Sequence, residues 1–139
     1  MNLIVCLDDR NGMMFNGRRQ SRDRAVIEDI LRDYAGKLYI EGYSEPLFAG
    51  RGAEYTVTQE LASAGAEAAC FAERPDGIPD RGAIHRVTVY RWNRLYPADM
   101  YFAADLNEDF ELVQSSEFEG TSHKKITKEV WERRNGHEK

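Results

Sequence analysis

Leu3-Ile4-Val5-Cys6-Leu7, closed by Asp8-Asp9, is the stretch that decides the fold. Every residue of the run is apolar, so both faces must be shielded from water, and five residues are too few for an ordinary helix. The run therefore predicts an interior strand of a sheet covered on both sides. Beyond it the pattern changes. Asn11-Gly12 and Asn16-Gly17 are turn signals that tolerate positive φ, so residues 8–20 read as a loop. Ser21 then stands where a helix would be capped. Val26, Ile27, Ile30, Leu31 and Tyr34 recur at helical spacing, and Gly36 can close the helix in a left-handed conformation.

A second unit of the same kind follows. Residues 37–41 predict a strand, and Gly42-Tyr43-Ser44-Glu45-Pro46 predicts a tight turn into a helix, with Ser44 as cap and Pro46 in the first turn. Such an opening presents backbone amides to an anion. Thr58 is placed to cap a short helix through residue 64, residues 68–72 are small and apolar like a buried strand, and residues 74–82 form a loop. Residues 84–92, 99–104, 111–114 and 125–133 alternate or are rich in aromatics, as antiparallel strands near a sheet edge are. The order predicts one α/β domain over residues 1–139, with a mixed, mainly parallel sheet flanked by helices and antiparallel strands at the C-terminal end.

Composition bounds the partners. With 139 residues and 42% hydrophobic content the chain can build one core without metals or cross-links. Cys6 and Cys70 sit in separate apolar runs and are expected to be free, buried thiols. A formal charge of −5 opposes a nucleic-acid-binding surface, and no apolar run nears the roughly 20 residues that span a bilayer. Neither nucleic acid nor membrane is expected as a partner. The N-terminal segment lacks the basic start and length of a signal peptide, so a cytoplasmic location is expected. One basic cluster stands out: Arg18, Arg19, Arg22 and Arg24 surround the single acid Asp23. It suits either a solvated, internally paired helix start or a site for a small anion such as phosphate.

The remaining polar residues define no further chemistry by spacing. His85, His123 and His137 form no metal-ligand pattern, so no metal site is expected. Ser115, Ser122 and His123 lack a nucleophile-elbow context, which gives no sequence ground for a Ser-His hydrolase. Trp92, Tyr96, Tyr101, Phe102 and Phe110 fit packing at strand spacing. Lys124, Lys125 and Lys128 fit a solvated hairpin.

The C-terminal residues Ala98-Asp99-Met100-Tyr101-Phe102, Asp105-Leu106, Phe110-Glu111-Leu112-Val113, Ser115-Ser116-Glu117, Ile126 and Glu129-Val130-Trp131-Glu132-Arg133 resemble the closing strands of dihydrofolate reductases. Leu3-Ile4-Val5, Asp8, Asn11-Gly12 and the helix after Ser21 are similar to that family's first strand, substrate loop and substrate-contacting helix. Lys37-Leu38-Tyr39-Ile40-Glu41-Gly42 is similar to its second strand and glycine turn. The Asn-Gly-Met-Met-Phe-Asn loop and the Ser-His-Lys-Lys-Ile-Thr-Lys-Glu-Val ending also resemble a set of small, uncharacterised bacterial proteins.

The resemblance implies a dihydrofolate-reductase-like scaffold with a ligand cleft between the loop bearing Gly12, Asn16, Arg18, Arg19 and Arg22 and the turn bearing Gly42 and Ser44. It implies that Asp23 matches the family's active-site carboxylate, with Thr88 and Tyr90 on the strand face that partners it; as plain sequence, Asp23 also reads as a helix-start acid and the other two as strand residues. It implies NADPH as cofactor, yet the motifs for it are largely missing. Arg18-Arg19-Gln20 stands where the family has Pro-Trp, Gly42-Tyr43-Ser44 lacks its arginine and threonine, and Glu73-Arg74-Pro75-Asp76-Gly77 replaces a paired-glycine turn. The expectation is a scaffold that binds a small anionic or nucleotide-like molecule and holds NADPH poorly. The alternatives are a divergent NADPH-dependent reductase with Asp23 as acid, and a non-catalytic interaction domain or homodimer.

Overall fold

The computed structural model describes residues 1–52, 54–103 and 106–134. The decisive run forms strand β1 (Asn2–Leu7) at the centre of a seven-stranded sheet. Its alternate residues serve two cores. Leu3, Val5 and Leu7 pack on one face with Cys70, Val87 and Phe110, and Ile4 packs on the other with Val26, Ile27, Phe71 and Tyr90. Covering both faces is why the run carries no polar residue.

After β1 the chain makes a hairpin, not the irregular loop expected over residues 8–20. Strands β2 (Gly12–Phe15) and β3 (Arg18–Arg19) pair antiparallel. The turn between them holds Asn16 and Gly17 at φ 53° and 74°. Two successive positive φ values give the turn whose twist matches paired strands, so the Asn-Gly signal marks a hairpin. Helix α1 (Arg24–Tyr34) follows, buries Val26, Ile27 and Ile30 against the sheet, and is succeeded by Gly36 at φ 80°. Its cap is Asp23, which accepts from the Ala25 amide, and not the expected Ser21.

Strand β4 (Leu38–Ile40) leads through one 3-10 turn, Gly42–Ser44, into the four-residue helix α2 (Glu45–Phe48), with Ser44 at its cap position and Pro46 in its first turn. Strand β5 (Thr56–Val57) adds the parallel edge. The helix expected from Thr58 is only the 3-10 turn Leu61–Ser63, because Leu61 alone is buried there and no apolar stripe exists to hold a longer helix. Strand β6 (Ala69–Phe71) lies between β4 and β1, parallel to both.

Strand β7 (Arg86–Arg91) corrects the edge placement expected for residues 84–92: it is interior, parallel to β1 and antiparallel to the last strand, with Val87, Thr88, Val89 and Tyr90 all buried. Within the segment expected as strand over residues 99–104, β8 (Met100–Tyr101) pairs with β2 in a separate three-stranded sheet, and residue 104 lies outside the described residues. The short helix α3 (Leu106–Asp109) precedes β9 (Phe110–Phe118), which forms the far edge, and β10 (Ile126–Arg133) runs antiparallel to both β9 and β7. The sheet order β5-β4-β6-β1-β7-β10-β9 is thus parallel through its first five strands and antiparallel at the end. No described helix is long and apolar enough to cross a membrane. Cys6 and Cys70 are both free, Cys70 buried and Cys6 half-buried.

Candidate functional site

The carboxyl ends of β1, β4 and β6 and the start of α1 meet at one end of the sheet, the position where open α/β sheets take ligands. β1 delivers Asp8 there. Its Oδ1 accepts the amides of Gly12 at 2.6 Å and Arg10 at 2.8 Å, and its Oδ2 accepts Gln20 Nε2 at 2.9 Å. Burial alone would raise the Asp8 pKa, but these donors together with the Tyr96 amide outweigh it and hold the carboxyl below its usual range. Gly12 is fixed by this shell. A Cβ on it would sit 2.7 Å from the Asp8 carboxylate and 2.8 Å from Ala98 Cβ.

Asp23 is the second anchor. Oδ1 accepts the amides of Ala25 at 2.9 Å and Thr121 at 2.8 Å; Oδ2 accepts the amides of Ser122 at 2.8 Å and His123 at 3.1 Å, and lies 2.9 Å from His123 Nδ1. Burial pushes its pKa up, but the His123 ring and the backbone amides win and lower it. The carboxylate therefore joins the start of α1 to the hairpin between β9 and β10. The His123 ring stacks on Trp92 with centroids 4.7 Å apart, and its Nε2 meets Tyr96 Oη at 2.8 Å and Ser21 Oγ at 3.2 Å.

A third cluster closes the turn after β6. Arg19 donates from Nε and Nη2 to the two Glu73 oxygens at 2.7 and 2.9 Å, Ser44 Oγ donates to Glu73 Oε2 at 2.6 Å, and the guanidinium lies 4.5 Å from the Tyr43 ring centroid. Ser44 thus spends its hydroxyl on Glu73, not on the α2 amides.

Two adjoining clefts lie over this end. The inner one, with only about 20 Å³ free, is lined by Cys6, Ser21, Asp23, Phe71, Glu73 and Trp92 among others. The outer one, about 300 Å³, is lined by Arg22, Arg24, Arg51, Pro46, Thr121 and Ser122 among others. Arg22, Asp23, Ile27 and Leu47 line both, so the clefts are adjacent.

Of the residues singled out in the sequence, Arg22 and Asp23 meet in both clefts, Arg19 and Ser44 meet at Glu73, and Gly42 opens the adjacent turn. Asn16 and Arg18 are exposed on the hairpin and line neither cleft. Thr88 and Tyr90 do not reach Asp23. Thr88 Oγ1 is 2.8 Å from Tyr34 Oη, and Tyr90 Oη donates to Asp29 at 2.6 Å. Burial, with Asp29 beside it, pushes the Tyr90 phenol pKa far up. Lys128 departs from the solvated reading: its ammonium bonds Asp29 at 2.8 Å and Asp33, tying β10 to α1. His123, Tyr96, Glu73 and Arg51 carry the site without having been signalled by spacing, because each arrives from a different loop. Among the described residues no group of His, Cys, Asp or Glu has the makings of a metal site, and His137 lies outside them.

This sheet order is that of a dihydrofolate-reductase-like fold. Among solved structures the chain is similar to a dihydrofolate reductase from Enterococcus faecalis, solved in complex with NADP(H) and RAB-propyl: the TM-score is 0.69 over 96% of each chain, at 10% sequence identity. At that identity the likeness describes the scaffold. No protein-family model matches the sequence, and no curated protein sequence matches it.

Proposed function

We propose that this protein is a dihydrofolate-reductase-like scaffold that binds a small anionic ligand, such as a phosphate-bearing or nucleotide-like molecule, in the outer cleft. One observation carries the reading. Arg22, Arg24 and Arg51 line a single cleft beside the start of α1, and among the described residues the side chains of Arg22 and Arg24 make no hydrogen bond or ion pair with the protein. The nearest acid, Asp23, is already saturated by amides and His123. Unpaired guanidinium groups around one concavity favour a group with several anionic oxygens, which accepts charge-assisted bonds from more than one of them.

The reading is preferred to a divergent NADPH-dependent reductase because the residues do not fit the nicotinamide cofactor. The turn after β6 is filled by the Glu73 carboxylate, which takes up Arg19 and Ser44, and Pro75 and Asp76 follow it. Asp23, held ionised by its donors, is poorly suited to supply a proton.

Calorimetric titration with inorganic phosphate, pyrophosphate and a nucleoside monophosphate tests the proposal. Saturable binding is expected, weakened at least tenfold in the Arg22→Ala/Arg24→Ala double variant, since each charge-assisted contact contributes about 1.5–3 kcal/mol. Absence of saturable binding, or equal affinity in the double variant, would reject it.

A further inference from the structure

Ser21, His123 and Asp23 come from the start of α1 and from a hairpin about a hundred residues away, yet they form one chain of hydrogen bonds. Asp23 Oδ2 lies 2.9 Å from His123 Nδ1, and His123 Nε2 lies 3.2 Å from Ser21 Oγ. The imidazole cannot turn freely: its own backbone amide is bonded to Asp23, and its ring is stacked on Trp92 at an interplanar angle of 19°. An ionised Asp23 assigns the proton to Nδ1, which leaves Nε2 as the acceptor facing Ser21. Ser21 is half-buried and lines the inner cleft.

We propose that Ser21 is an activated nucleophile for acyl transfer, with His123 as its general base and Asp23 as the residue that positions the imidazole. Ser21 Oγ attacks an ester carbonyl carbon while its proton passes to His123 Nε2. The carbon–oxygen bond to the alcohol then breaks, the alcohol oxygen takes that proton, and an acyl-Ser21 remains. Water, activated by the same nitrogen, attacks the acyl carbon and releases the carboxylic acid, restoring Ser21. The sequence offered no nucleophile elbow because this serine sits on the approach to a helix and its histidine on a distant hairpin. Tyr96 Oη lies 2.8 Å from Nε2 and 3.3 Å from Ser21 Oγ; because Nε2 has a single lone pair, Tyr96 donates to Ser21 Oγ when Nε2 accepts the serine proton.

The space selects the substrate. With about 20 Å³ free, the inner cleft has room for roughly one water-sized group, such as the methyl of an acetyl ester whose carbonyl lies at the cleft mouth beside Ser21, so the acyl part is small. The alcohol part must lie in the outer cleft beside Arg22, Arg24 and Arg51, which favours one carrying phosphate or carboxylate. That preference rests on the anion-binding reading above; acylation of Ser21 does not.

The test uses the whole chain and p-nitrophenyl acetate, an uncharged ester. Release of nitrophenolate should show a burst, intact mass should show one acetyl group, and peptide mapping should place it on Ser21. Ser21→Ala should abolish the burst with little change in Tm. His123→Gln should slow acylation by about a hundredfold or more, the scale of lost general-base catalysis, with its fold checked by circular dichroism. No burst from the wild-type protein, a label on another residue, or an undiminished burst in Ser21→Ala overturns the proposal. An acetyl ester of a phosphate-bearing alcohol should then show a kcat/KM at least tenfold above that of its uncharged analogue. Equal values would remove the anionic substrate class while leaving the acylation result standing.

Discussion

Asp23 and His123 are bonded twice, through the His123 amide at 3.1 Å and through its ring Nδ1 at 2.9 Å, both to Oδ2 of the same carboxylate. The pair fastens the closing hairpin of the sheet to the first turn of α1. Replacing Asp23 by Ala removes the helix cap and leaves the amides of Thr121, Ser122 and His123 without their acceptor. A lost cap costs about 1 kcal/mol and an unsatisfied buried donor about 1–3 kcal/mol, with partial rescue by water at the exposed Thr121 and Ser122. Asp23→Ala should therefore lower unfolding stability by about 2–4 kcal/mol, measured by urea denaturation at pH 7.

The same anchors set the response to acid. Asp8 and Asp23 have pKa values lowered by their hydrogen-bond shells, so the folded state holds fewer protons than the unfolded one as pH falls. Their stabilisation is full above the unfolded value of about 3.9 and is lost as pH drops through the lowered folded values. His85, whose pKa is depressed by burial and by the Met1 ammonium, adds a separate loss below about 6.5. The denaturation midpoint should fall steeply below about pH 4, and Asp23→Ala should show a shallower fall there. Equal slopes for the two proteins would contradict this role for Asp23.

Glu73 is a structural anion. Its carboxylate accepts from Arg19 and Ser44 with little solvent access, so Glu73→Ala strands a half-buried guanidinium and should cost about 2–3 kcal/mol. Adding Arg19→Ala in that background should cost less than Arg19→Ala alone. A double-mutant cycle by chemical denaturation is expected to give a coupling of about 1 kcal/mol or more.

Gly120 is close-packed against the Asp23 anchor. A Cβ there would lie 2.5 Å from Asp23 Oδ2 and 2.7 Å from the His123 carbonyl, and backbone cannot yield as a flexible side chain does. Gly120→Ala should destabilise by about 1–3 kcal/mol, whereas Gly42→Ala, with open space at its Cβ, should change Tm far less. Thermal unfolding of the two variants side by side checks the contrast.

How much of this the sequence revealed follows from the range of the interactions. β1, α1, β4 and β6 were legible because apolar runs and helical spacing are local, as was the antiparallel pair β9–β10. Asn16-Gly17 signals a turn, but two-residue β3 is too short to show strand alternation, and the pairing of β2 with β8 eighty-odd residues away leaves no local signal at all. Arg22 and Asp23 were singled out and do line the clefts. Arg19 was singled out as well, but its partner Glu73 lies 54 residues on, and pairing at that distance leaves no trace in spacing. By spacing Ser21 reads as the cap that Asp23 in fact provides, and its link to His123, about a hundred residues on, leaves no local signal.

The last prediction concerns the nicotinamide cofactor. β6 ends at Phe71, and the chain then places Glu73 where it binds both Arg19 and Ser44, the donors that a diphosphate entering this turn would need. A bound diphosphate would have to displace that carboxylate or lie beside it. Forfeiting two charge-assisted contacts at about 1.5–3 kcal/mol each weakens affinity by about two to four orders of magnitude. Titration with NADPH, followed by nicotinamide fluorescence, should show no saturation in the low micromolar range for the wild-type protein. Glu73→Ala frees Arg19 and Ser44 and removes the repulsion, so that variant should bind NADPH more tightly than wild type by about tenfold or more. Saturable low-micromolar binding by the wild-type chain, with turnover abolished by Asp23→Asn, would instead establish a divergent reductase.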